Sequence, residues 1–422
     1  MRRFYSLVIS CAAPIAVAVV LWRGLRDRSY WQGLAERFGW GPAVGAPTVW
    51  VHAVSLGEMS AAAPLIRGIR ARYPQIPLLL TTATPAGRAR AQALFGDSAD
   101  IRFLAYDTPG SVRRFLARTE PRLAVIMETE LWPNLFGQCA RRGVPVVLAS
   151  ARLSAKSVSR YRRLGGLFSG VFSDNVRVAA QSAEDAERFL AIGSAPARTC
   201  VAGNVKFDLQ LDAGIVDRGR RLRADYGARP VWIAGSTHAG EEEQLLDAHA
   251  RLLTDRPDAL LLLAPRHRNR FAAVAELLAR RAVRFTRRSG GAVPAAGGSE
   301  VLLVDTVGEL PLLYASADVA FVGGSLVPVG GHNLLEPAAL GLPVLTGPFQ
   351  FNSQEIASLL LRRGAVLEVA DARELAAVLR KLLDDAAERQ RIGATGKAIV
   401  ESNRGSVARL LALMEPSLAA FP

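Results

Sequence analysis

The sequence is poor in cysteine and lysine. Its three cysteines, Cys11, Cys139 and Cys200, have no metal or redox spacing, and their odd count provides no disulfide framework. Lysine occurs only four times, although lysine and arginine together number 52 against 38 acidic residues. Arginine therefore supplies nearly all of the positive charge behind the net +14. Such a balance favours anionic partners, which include a lipid surface, a phosphorylated substrate and nucleic acid.

Several signatures are missing. There is no helix-turn-helix pattern, zinc-ligand spacing or basic stretch interleaved with aromatics, so nucleic acid is the least supported partner. No carboxylate pair has clear divalent-metal spacing, and we predict neither a metal nor a cofactor. Half of the residues are hydrophobic and 21% are charged, which is a globular composition apart from a loose loop at 292–299. We expect the globular body to be cytoplasmic.

The N-terminus carries a long apolar run at 4–22, interrupted by Pro14 and flanked by arginines on both sides. It is just long enough to cross a bilayer core, but it also suits a segment lying in the membrane interface or a secretory signal peptide. No small-residue cleavage site follows, so we expect an anchor. Because basic residues flank both ends, the positive-inside rule does not fix its orientation.

From Pro47 onward, short apolar runs alternate with helical segments. Strands without polar alternation are buried on both faces, which predicts parallel sheets covered by helices. The polar stretch 208–229 interrupts this rhythm. At 422 residues the chain is also long enough for two domains. The predicted organisation is an anchor at 1–30, a first domain at 31–207, a linker at 208–229, and a second domain at 230–422 whose last helices could cross back.

The predicted strands fall into two series. The first series comprises 48–55, 77–84, 101–106, 122–128, 144–150, 176–182 and 199–204, and the second comprises 231–237, 259–265, 301–306, 319–324, 343–348 and 365–370. In open α/β sheets, ligands bind at the carboxyl ends of the strands. Polar motifs that follow the strands are therefore candidate site residues.

One βαβ unit, at 321–348, has the features of a phosphate site. Gly330 and Gly331 open a loop, and a helical pattern follows at 333–340. Backbone N–H groups of such a loop and the positive end of the helix would stabilise a phosphate. Glu336, about one turn into the helix, would accept hydrogen bonds from a ribose. The alternative is that the glycines only form a tight turn.

Other motifs also follow strands. They are HAVSLGE (52–58), TPAG (84–87), METELWPN (127–134), ASARLS (149–154), GNVKFD (203–208), AGSTHAGEEE (234–243), APRH (264–267) and DTVGEL (305–310). In this order, and over nearly the whole chain, they resemble the bacterial 3-deoxy-D-manno-octulosonate (Kdo) transferases of lipopolysaccharide synthesis. The resemblance implies a GT-B architecture, with two Rossmann-like doubly wound α/β domains facing a cleft. It also implies CMP-Kdo as donor, a lipid A precursor as acceptor, inversion at the anomeric carbon, and the cytoplasmic face of the inner membrane.

Three residues are candidates for the chemistry. Glu58 is the candidate base for the acceptor hydroxyl, although a first-turn glutamate also complements a helix dipole. The resemblance makes Glu128 the transition-state stabiliser, whereas Glu130 fits the start of the next helix better. Lys206 offers a compact charge that can approach a carboxylate or phosphate, unlike the broad guanidinium used elsewhere in this chain.

The second domain provides the nucleotide contacts that the resemblance implies. Arg266 and His267 offer a cation and a hydrogen-bond donor, and the loop at 307–309 can bind a cytosine edge through backbone groups. His238 is equally compatible with a structural capping role. The full implied set is Arg266, His267, Val307, Gly308, Glu309, Asn333, Leu334, Leu335 and Glu336.

Two alternatives remain from the sequence. A UDP-sugar-dependent GT-B transferase or epimerase would use the same glycine-rich loop and glutamate, and nucleotide preference discriminates it from the first hypothesis. A basic, membrane-bound module for lipid or nucleic acid would not be an enzyme. It would leave the motifs at 52–58 and 127–134 unexplained.

Overall fold

The computed structural model describes residues 1–163, 165–168, 170–291, 298–419 and 421. The chain forms two compact units. Unit 1 comprises Met1–Asp208 and Asn403–Pro422, and unit 2 comprises Leu209–Ser402. Residues 292–297 of the predicted loose loop lie outside the described residues.

Unit 1 contains a seven-stranded parallel sheet. Its strands β1 to β7 are Thr48–His52, Leu78–Thr82, Asp100–Phe103, Pro121–Met127, Val146–Ala151, Val176–Ala180 and Thr199–Val201. Their order is β3-β2-β1-β4-β5-β6-β7, so the direction of winding reverses between β1 and β4. The central strands are apolar on both faces, since helices cover both sides of the sheet.

Among the described residues of unit 1, eight α-helical segments precede Asp208. Helices α1 to α8 are Arg2–Arg26, Leu56–Arg72, Pro85–Phe95, Pro109–Thr119, Pro133–Arg141, Ala155–Arg163, Gly165–Phe168 and Ala183–Ala191. Hydroxyl side chains at the N-caps of α2, α3, α4 and α8 accept amide hydrogen bonds, which explains where these helices begin. Alternate β1 residues enter opposite cores, with Val49 and Val51 on one face and Trp50 on the other.

Unit 2 repeats the architecture. Strands β8 to β14 are Val231–Thr237, Leu260–Pro265, Phe285–Arg287, Val301–Leu303, Val319–Val322, Val344–Thr346 and Val366–Glu368. Helices α9 to α16 are Ile215–Asp225, Glu242–Asp255, Phe271–Arg280, Leu310–Tyr314, Leu335–Ala339, Gln354–Arg362, Ala372–Asp384 and Ala386–Ser402. The strand order β10-β11-β9-β8-β12-β13-β14 reverses between β8 and β12.

The predicted α/β class with two doubly wound parallel sheets is confirmed. Strand β10 was not predicted, because its three residues form no apolar run. The stretch 208–229, predicted as a linker, contains α9, and all of it except Asp208 lies in unit 2. The predicted helix at 333–340 is shorter than expected: α13 begins only at Leu335.

The last helix, α17 at Ser406–Leu418, packs on α2 and belongs to unit 1. The Asp208 carboxylate accepts hydrogen bonds from the amides of Gly405 and Val407 at its start. A carboxylate in this place satisfies helix amides that have no partner within the helix.

Helix α1 is long and apolar enough to cross a membrane by length and composition. One side of α1 nevertheless packs against the rest of unit 1. The Tyr5 hydroxyl donates to Asp107 Oδ2 at 2.9 Å, and the Ser6 hydroxyl donates to Asn134 Oδ1 at 2.8 Å. On the opposite side, apolar side chains such as Leu7 and Ile15 are more than 60% exposed.

Candidate active site

The strand ends of unit 1 bring the predicted carboxylates together. Glu58 lies in the first turn of α2, the helix that follows β1, and Glu128 directly follows β4. These two strands are neighbours at the point where the winding reverses. Parallel sheets bind ligands at such a point, since the loops diverge there and leave a crevice.

Glu58 is held in the first turn of α2. Its amide donates to the hydroxyl of the N-cap Ser55 at 3.3 Å, and its Oε2 accepts from the Val54 amide at 2.9 Å. Among the described residues, no hydrogen bond engages its other oxygen, Oε1. Burial, followed by the neighbouring charge of Glu128, raises the pKa of Glu58, while the Val54 amide, Arg152 and Lys206 oppose this shift. A raised pKa makes the carboxylate a better proton acceptor.

Glu128 lies between two cations. Its Oε2 accepts from Arg152 Nε at 2.7 Å, and its Oε1 is 3.5 Å from Lys206 Nζ. Glu128 is buried and has a φ of +55°, in the left-handed region that costs a residue with a side chain about 1–2 kcal/mol. Backbone conformations of this kind cluster at functional sites.

The Glu130 carboxyl has a strongly raised pKa. Burial and then the charge of Glu58 raise its pKa to about 7, although its Oε2 accepts a hydrogen bond from Trp132 Nε1 at 2.8 Å. It therefore changes charge near neutral pH. Helix α5 begins three residues later, at Pro133, so Glu130 is not part of that helix.

In unit 2, three histidines meet where the winding reverses between β8 and β12. His238 Nε2 lies 2.8 Å from His332 Nε2, with the two rings stacked, and the His267 ring packs edge-on against His238. Burial, and then the other histidine, lowers the pKa of His332 to about 4. The His238–His332 contact therefore joins two neutral rings, of which one donates and the other accepts.

The other predicted nucleotide residues lie on loops of unit 2. Arg266 and His267 are exposed directly after β9, and Val307 is 60% exposed. Gly308, at a φ of +89°, provides the left-handed turn of that loop. The Glu309 carboxylate accepts from Arg288 Nη2 at 2.9 Å, and this bond lowers its pKa, so its carboxylate is already paired with a cation of the protein.

The segment from Asn333 to Glu336 is internally bonded. The Asn333 side chain accepts from the Leu335 amide at 3.1 Å and donates to Glu336 Oε1 at 3.1 Å. Leu334 and Leu335 are buried. Burial raises the pKa of Glu336, opposed by the Asn333 hydrogen bond and the charge of Arg266. Arg266 and Glu336 therefore lie close enough to interact.

One expectation about the glycine-rich loop is wrong. The amides of Gly330 and Gly331, expected to bind phosphate, both donate to the Gly324 carbonyl, at 3.1 and 2.8 Å. The Glu241 carboxylate engages the loop that follows β12. It accepts from the amides of residues 324, 325 and 326, and from that of His238. These amides are unavailable to a ligand, because a buried anion of the protein already satisfies them.

Sequence reasoning missed Arg152 and Glu241. Arg152 lies in the ASARLS motif after β5, and its role depends on the adjacency of β4 and β5. Glu241 lies in the motif at 234–243, but three of the four amides that it accepts from are more than 80 residues away. Among the described residues, no group of three or more His, Cys, Asp or Glu side chains is arranged to hold a metal ion.

Comparison with known proteins identifies the family. The model described as "3-Deoxy-D-manno-octulosonic-acid transferase (kdotransferase)" matches residues 32–209, and "Glycosyl transferases group 1" matches residues 298–399. The 3-deoxy-D-manno-octulosonic acid transferase of Haemophilus influenzae is 40% identical over 99% of both chains, and that of Bordetella pertussis is 39% identical over 98% of this chain and 99% of the other.

A UDP-GlcNAc 2-epimerase from Neisseria meningitidis, solved with UDP-GlcNAc, covers 86% of this chain and 100% of its own with a TM-score of 0.56. At 14% identity it shows the fold alone. Two doubly wound units and a carboxylate cluster at a winding reversal, together with these matches, define a two-domain glycosyltransferase. The chain belongs to the 3-deoxy-D-manno-octulosonic acid (Kdo) transferase family, and Kdo transfer is a step of lipopolysaccharide biosynthesis. The family resemblance stated from the motifs is confirmed.

Proposed function

We propose that this enzyme transfers Kdo from CMP-Kdo to a lipid A precursor with inversion, and that Glu58 is the general base. The observation that carries the proposal is the grouping of Glu58, Glu128 and Lys206 at the winding reversal of unit 1. Glu58 has one oxygen fixed by the Val54 amide, which orients the other toward a substrate.

The reaction replaces one bond at the anomeric carbon with another. The acceptor hydroxyl oxygen forms the new glycosidic bond as Glu58 Oε1 takes its proton. The bond from the anomeric carbon to the phosphate oxygen breaks, and CMP leaves with the electron pair. Attack from the face opposite the leaving group inverts the configuration.

Lys206 and Glu128 act as a pair in this proposal. Glu128, itself fixed by Arg152, holds the Lys206 ammonium 3.5 Å from its Oε1. A fixed cation stabilises the negative charge of the sugar carboxylate or of the leaving phosphate without having to reorganise during the reaction. The Glu128 charge in turn favours the oxocarbenium-like centre.

Unit 2 holds the nucleotide in this proposal. Arg266 neutralises the phosphate, Glu336 accepts from the ribose hydroxyls, and the backbone of residues 307–309 contacts the cytosine. Exposure of Arg266 and Val307 and the electrostatic interaction between Arg266 and Glu336 support these assignments. The satisfied amides of residues 330 and 331 leave Arg266 as the main phosphate partner.

We also propose that α1 lies in the plane of the inner membrane at its cytoplasmic face. The stripe containing Tyr5 and Ser6 packs on unit 1, while the opposite apolar stripe is exposed. The Met1 side chain lies against Gly166 of α7, next to α6, which has exposed Arg160, Arg162 and Arg163. Arginines beside an apolar surface suit anionic lipid head groups.

The decisive experiment replaces Glu58 with Gln. General-base assistance contributes about 10²–10⁴ in rate, so we expect Glu58→Gln to lose at least about 10²-fold in turnover while CMP affinity and melting temperature stay near wild type. The measurement is single-turnover transfer from CMP-Kdo to a lipid A precursor.

Glu374→Gln is a matched control. Glu374 lies three residues after the N-cap Asp371, and its Oε2 accepts from the Ala370 amide at 2.8 Å, which reproduces the capping geometry of Glu58. If capping were the only role of Glu58, both variants would lose a similar, small amount of stability and keep their activity. A folded Glu58→Gln enzyme retaining more than about a tenth of the wild-type rate contradicts the base assignment.

A further inference from the structure

A cavity of about 280 Å³ lies between α1 and the strand ends of unit 1. Helix α1 forms one wall, and the segments that follow β2 and β3 form another. Most of the lining is apolar. The lining residues are Ile9, Ala12, Ala13, Ala16, Arg37, Ala83, Leu104, Ala105, Tyr106, Asp107 and Trp132.

Two polar groups at this cavity are buried without a partner. Among the described residues, neither Arg37 Nε nor the Tyr106 hydroxyl has a hydrogen-bond partner, although Arg37 is only 5% exposed. The rest of the Arg37 side chain is fixed, since Nη1 donates to the Ala83 carbonyl and the guanidinium stacks on Phe103. Buried donors without partners are costly, so such a pair indicates a place where a ligand supplies the acceptor.

The third polar residue of the lining, Asp107, is already satisfied. Its carboxylate accepts from the Tyr5 hydroxyl and from the amides of Asn134 and Leu135. The cavity wall therefore has one unpartnered N–H donor and one unpartnered hydroxyl, which can donate or accept, in surroundings that are otherwise apolar. This chemistry suits an aliphatic chain that ends in a carbonyl group.

Two walls of the cavity are bonded to the carboxylate cluster. The Ala83 amide donates to the Val54 carbonyl at 3.0 Å, and the Val54 amide is the group that holds Glu58 Oε2. On the other side, Trp132 donates to Glu130. Two successive hydrogen bonds therefore connect the cavity wall at Ala83 to the candidate base.

We propose that this cavity binds one acyl chain of the lipid acceptor, whose carbonyl oxygen accepts hydrogen bonds from Arg37 Nε and the Tyr106 hydroxyl. The inference rests on the proposed lipid acceptor. The cavity volume of about 280 Å³ lies at the lower limit of the about 300–1,000 Å³ typical of sites for drug-sized ligands. A cavity of this size suits one acyl chain but not a disaccharide. Occupation of the cavity places the acceptor's sugar near Glu58, so chain binding determines which hydroxyl reaches the base.

The test compares two lipid A precursors, one with full-length acyl chains and one whose chains are four methylenes shorter, in the same detergent. Each buried methylene contributes about fourfold in affinity, so we expect wild-type enzyme to show an acceptor KM at least about tenfold lower for the longer chains. Ala13→Phe, which fills the cavity from α1, should abolish this preference. Ala18→Phe, on the exposed side of the same helix, should retain it.

Tyr106→Phe provides a second variant that preserves folding. It removes only an unpaired hydroxyl, so a purely structural role predicts an unchanged or higher melting temperature and unchanged kinetics. We expect the KM for both acceptors to rise about fivefold or more, as loss of a hydrogen bond predicts, with the KM for CMP-Kdo unchanged.

Four results would overturn the inference. Equal KM values for long and short chains in wild type, or a chain-length preference that survives in Ala13→Phe, would show that the acceptor chain binds elsewhere. If the cavity instead held a bilayer phospholipid, Ala13→Phe would weaken binding to phospholipid vesicles without changing the preference. If wild type transfers Kdo to neither precursor, the proposed acceptor itself is refuted. The absence of any product distinguishes this result from a failure of the cavity proposal alone.

Discussion

Glu58 shows how much of a residue's role depends on its surroundings. The sequence predicts its position well, because Ser55 and Glu58 have the spacing of a helix cap, and the capping hydrogen bonds are present. Glu374 has the same local geometry but is exposed. What distinguishes Glu58 is its partial burial near Glu128 and Lys206, which depends on strands far apart in the sequence and cannot be obtained from local pattern.

Glu130 should shape the pH dependence of the enzyme. Its pKa of about 7 arises from burial and then from the charge of Glu58. Protonation of Glu130 removes a negative charge near the candidate base and makes that base weaker, and protonation of Glu58 removes the base itself. We therefore expect kcat/KM to fall in two steps as the pH decreases, with the upper step near 7. Glu130→Gln removes one charge, and a single step at lower pH should remain. Rates measured between pH 5 and 9 check this; an unchanged upper step in the variant would refute it.

The same shift has a consequence for stability. A carboxyl with a raised folded-state pKa binds its proton more tightly in the folded state. The free energy of unfolding of wild type, relative to Glu130→Gln, should therefore fall as the pH rises from about 4.5 to 7, and level off above 7. Urea unfolding of both proteins at several pH values measures this difference.

Glu336 and Glu309 offer a paired test of the nucleotide site. Glu336→Gln should weaken CMP binding by about 1–3 kcal/mol, as expected when a hydrogen bond to a charged group is lost. Glu309→Gln should change CMP binding little, because the Glu309 carboxylate is already bonded to Arg288 and the proposed function gives residue 309 only backbone contacts to the nucleotide. Calorimetry with CMP measures both. Equal losses in the two variants would contradict the assignment of Glu336.

Among the structural elements, the loop after β12 differs most from the expectation. The glycines at 330 and 331 were expected to leave their amides open, but the loop folds back on Gly324, and Glu241 satisfies the amides of residues 324–326. Sequence patterns identify where a loop occurs. They do not show which distant side chain fills it, so neither Glu241 nor the late start of α13 could be predicted.

Glu241→Gln should therefore destabilise unit 2. In the variant, the glutamine NH2 group takes the place of one carboxylate oxygen and faces backbone N–H groups, which cannot accept its hydrogen bonds. At least one charge-assisted hydrogen bond is therefore lost. We expect a loss of about 1.5–3 kcal/mol or more in the free energy of unfolding. The control is Glu243→Gln, two residues further along the chain. Among the described residues, the buried Oε2 of Glu243 has no hydrogen-bond partner. Equal melting temperatures for the two variants would contradict this role of Glu241.

The strands were predicted more reliably than the site. Thirteen apolar runs correspond to strands of the two sheets, since buried parallel strands need continuous apolar sequence. The missed strand β10 lies at a sheet edge and ends in arginine, where burial imposes no such pattern. The strand-end rule also selects Glu58, Glu128 and Lys206 as candidates, and the structure places these three side chains near one another. Arg152 required knowing that β4 and β5 are neighbours.

For the whole molecule, the contacts of α1 support the proposed in-plane helix over one that crosses the membrane. A crossing would separate Tyr5 and Ser6 from Asp107 and Asn134, and would carry their polar groups into hydrocarbon without partners. It would also expose the apolar stripe of unit 1 that α1 covers. An in-plane helix keeps these contacts and still buries its exposed apolar side in lipid.

Both ends of α1 should therefore lie on the cytoplasmic side. We expect a protease-cleavable tag before Met1 to be cut in inverted inner-membrane vesicles and protected in intact spheroplasts. A tag after residue 422 should behave identically and serves as the control for sidedness. Cleavage of the N-terminal tag in intact spheroplasts would mean that α1 spans the bilayer, because only a crossing places residue 1 on the outer side.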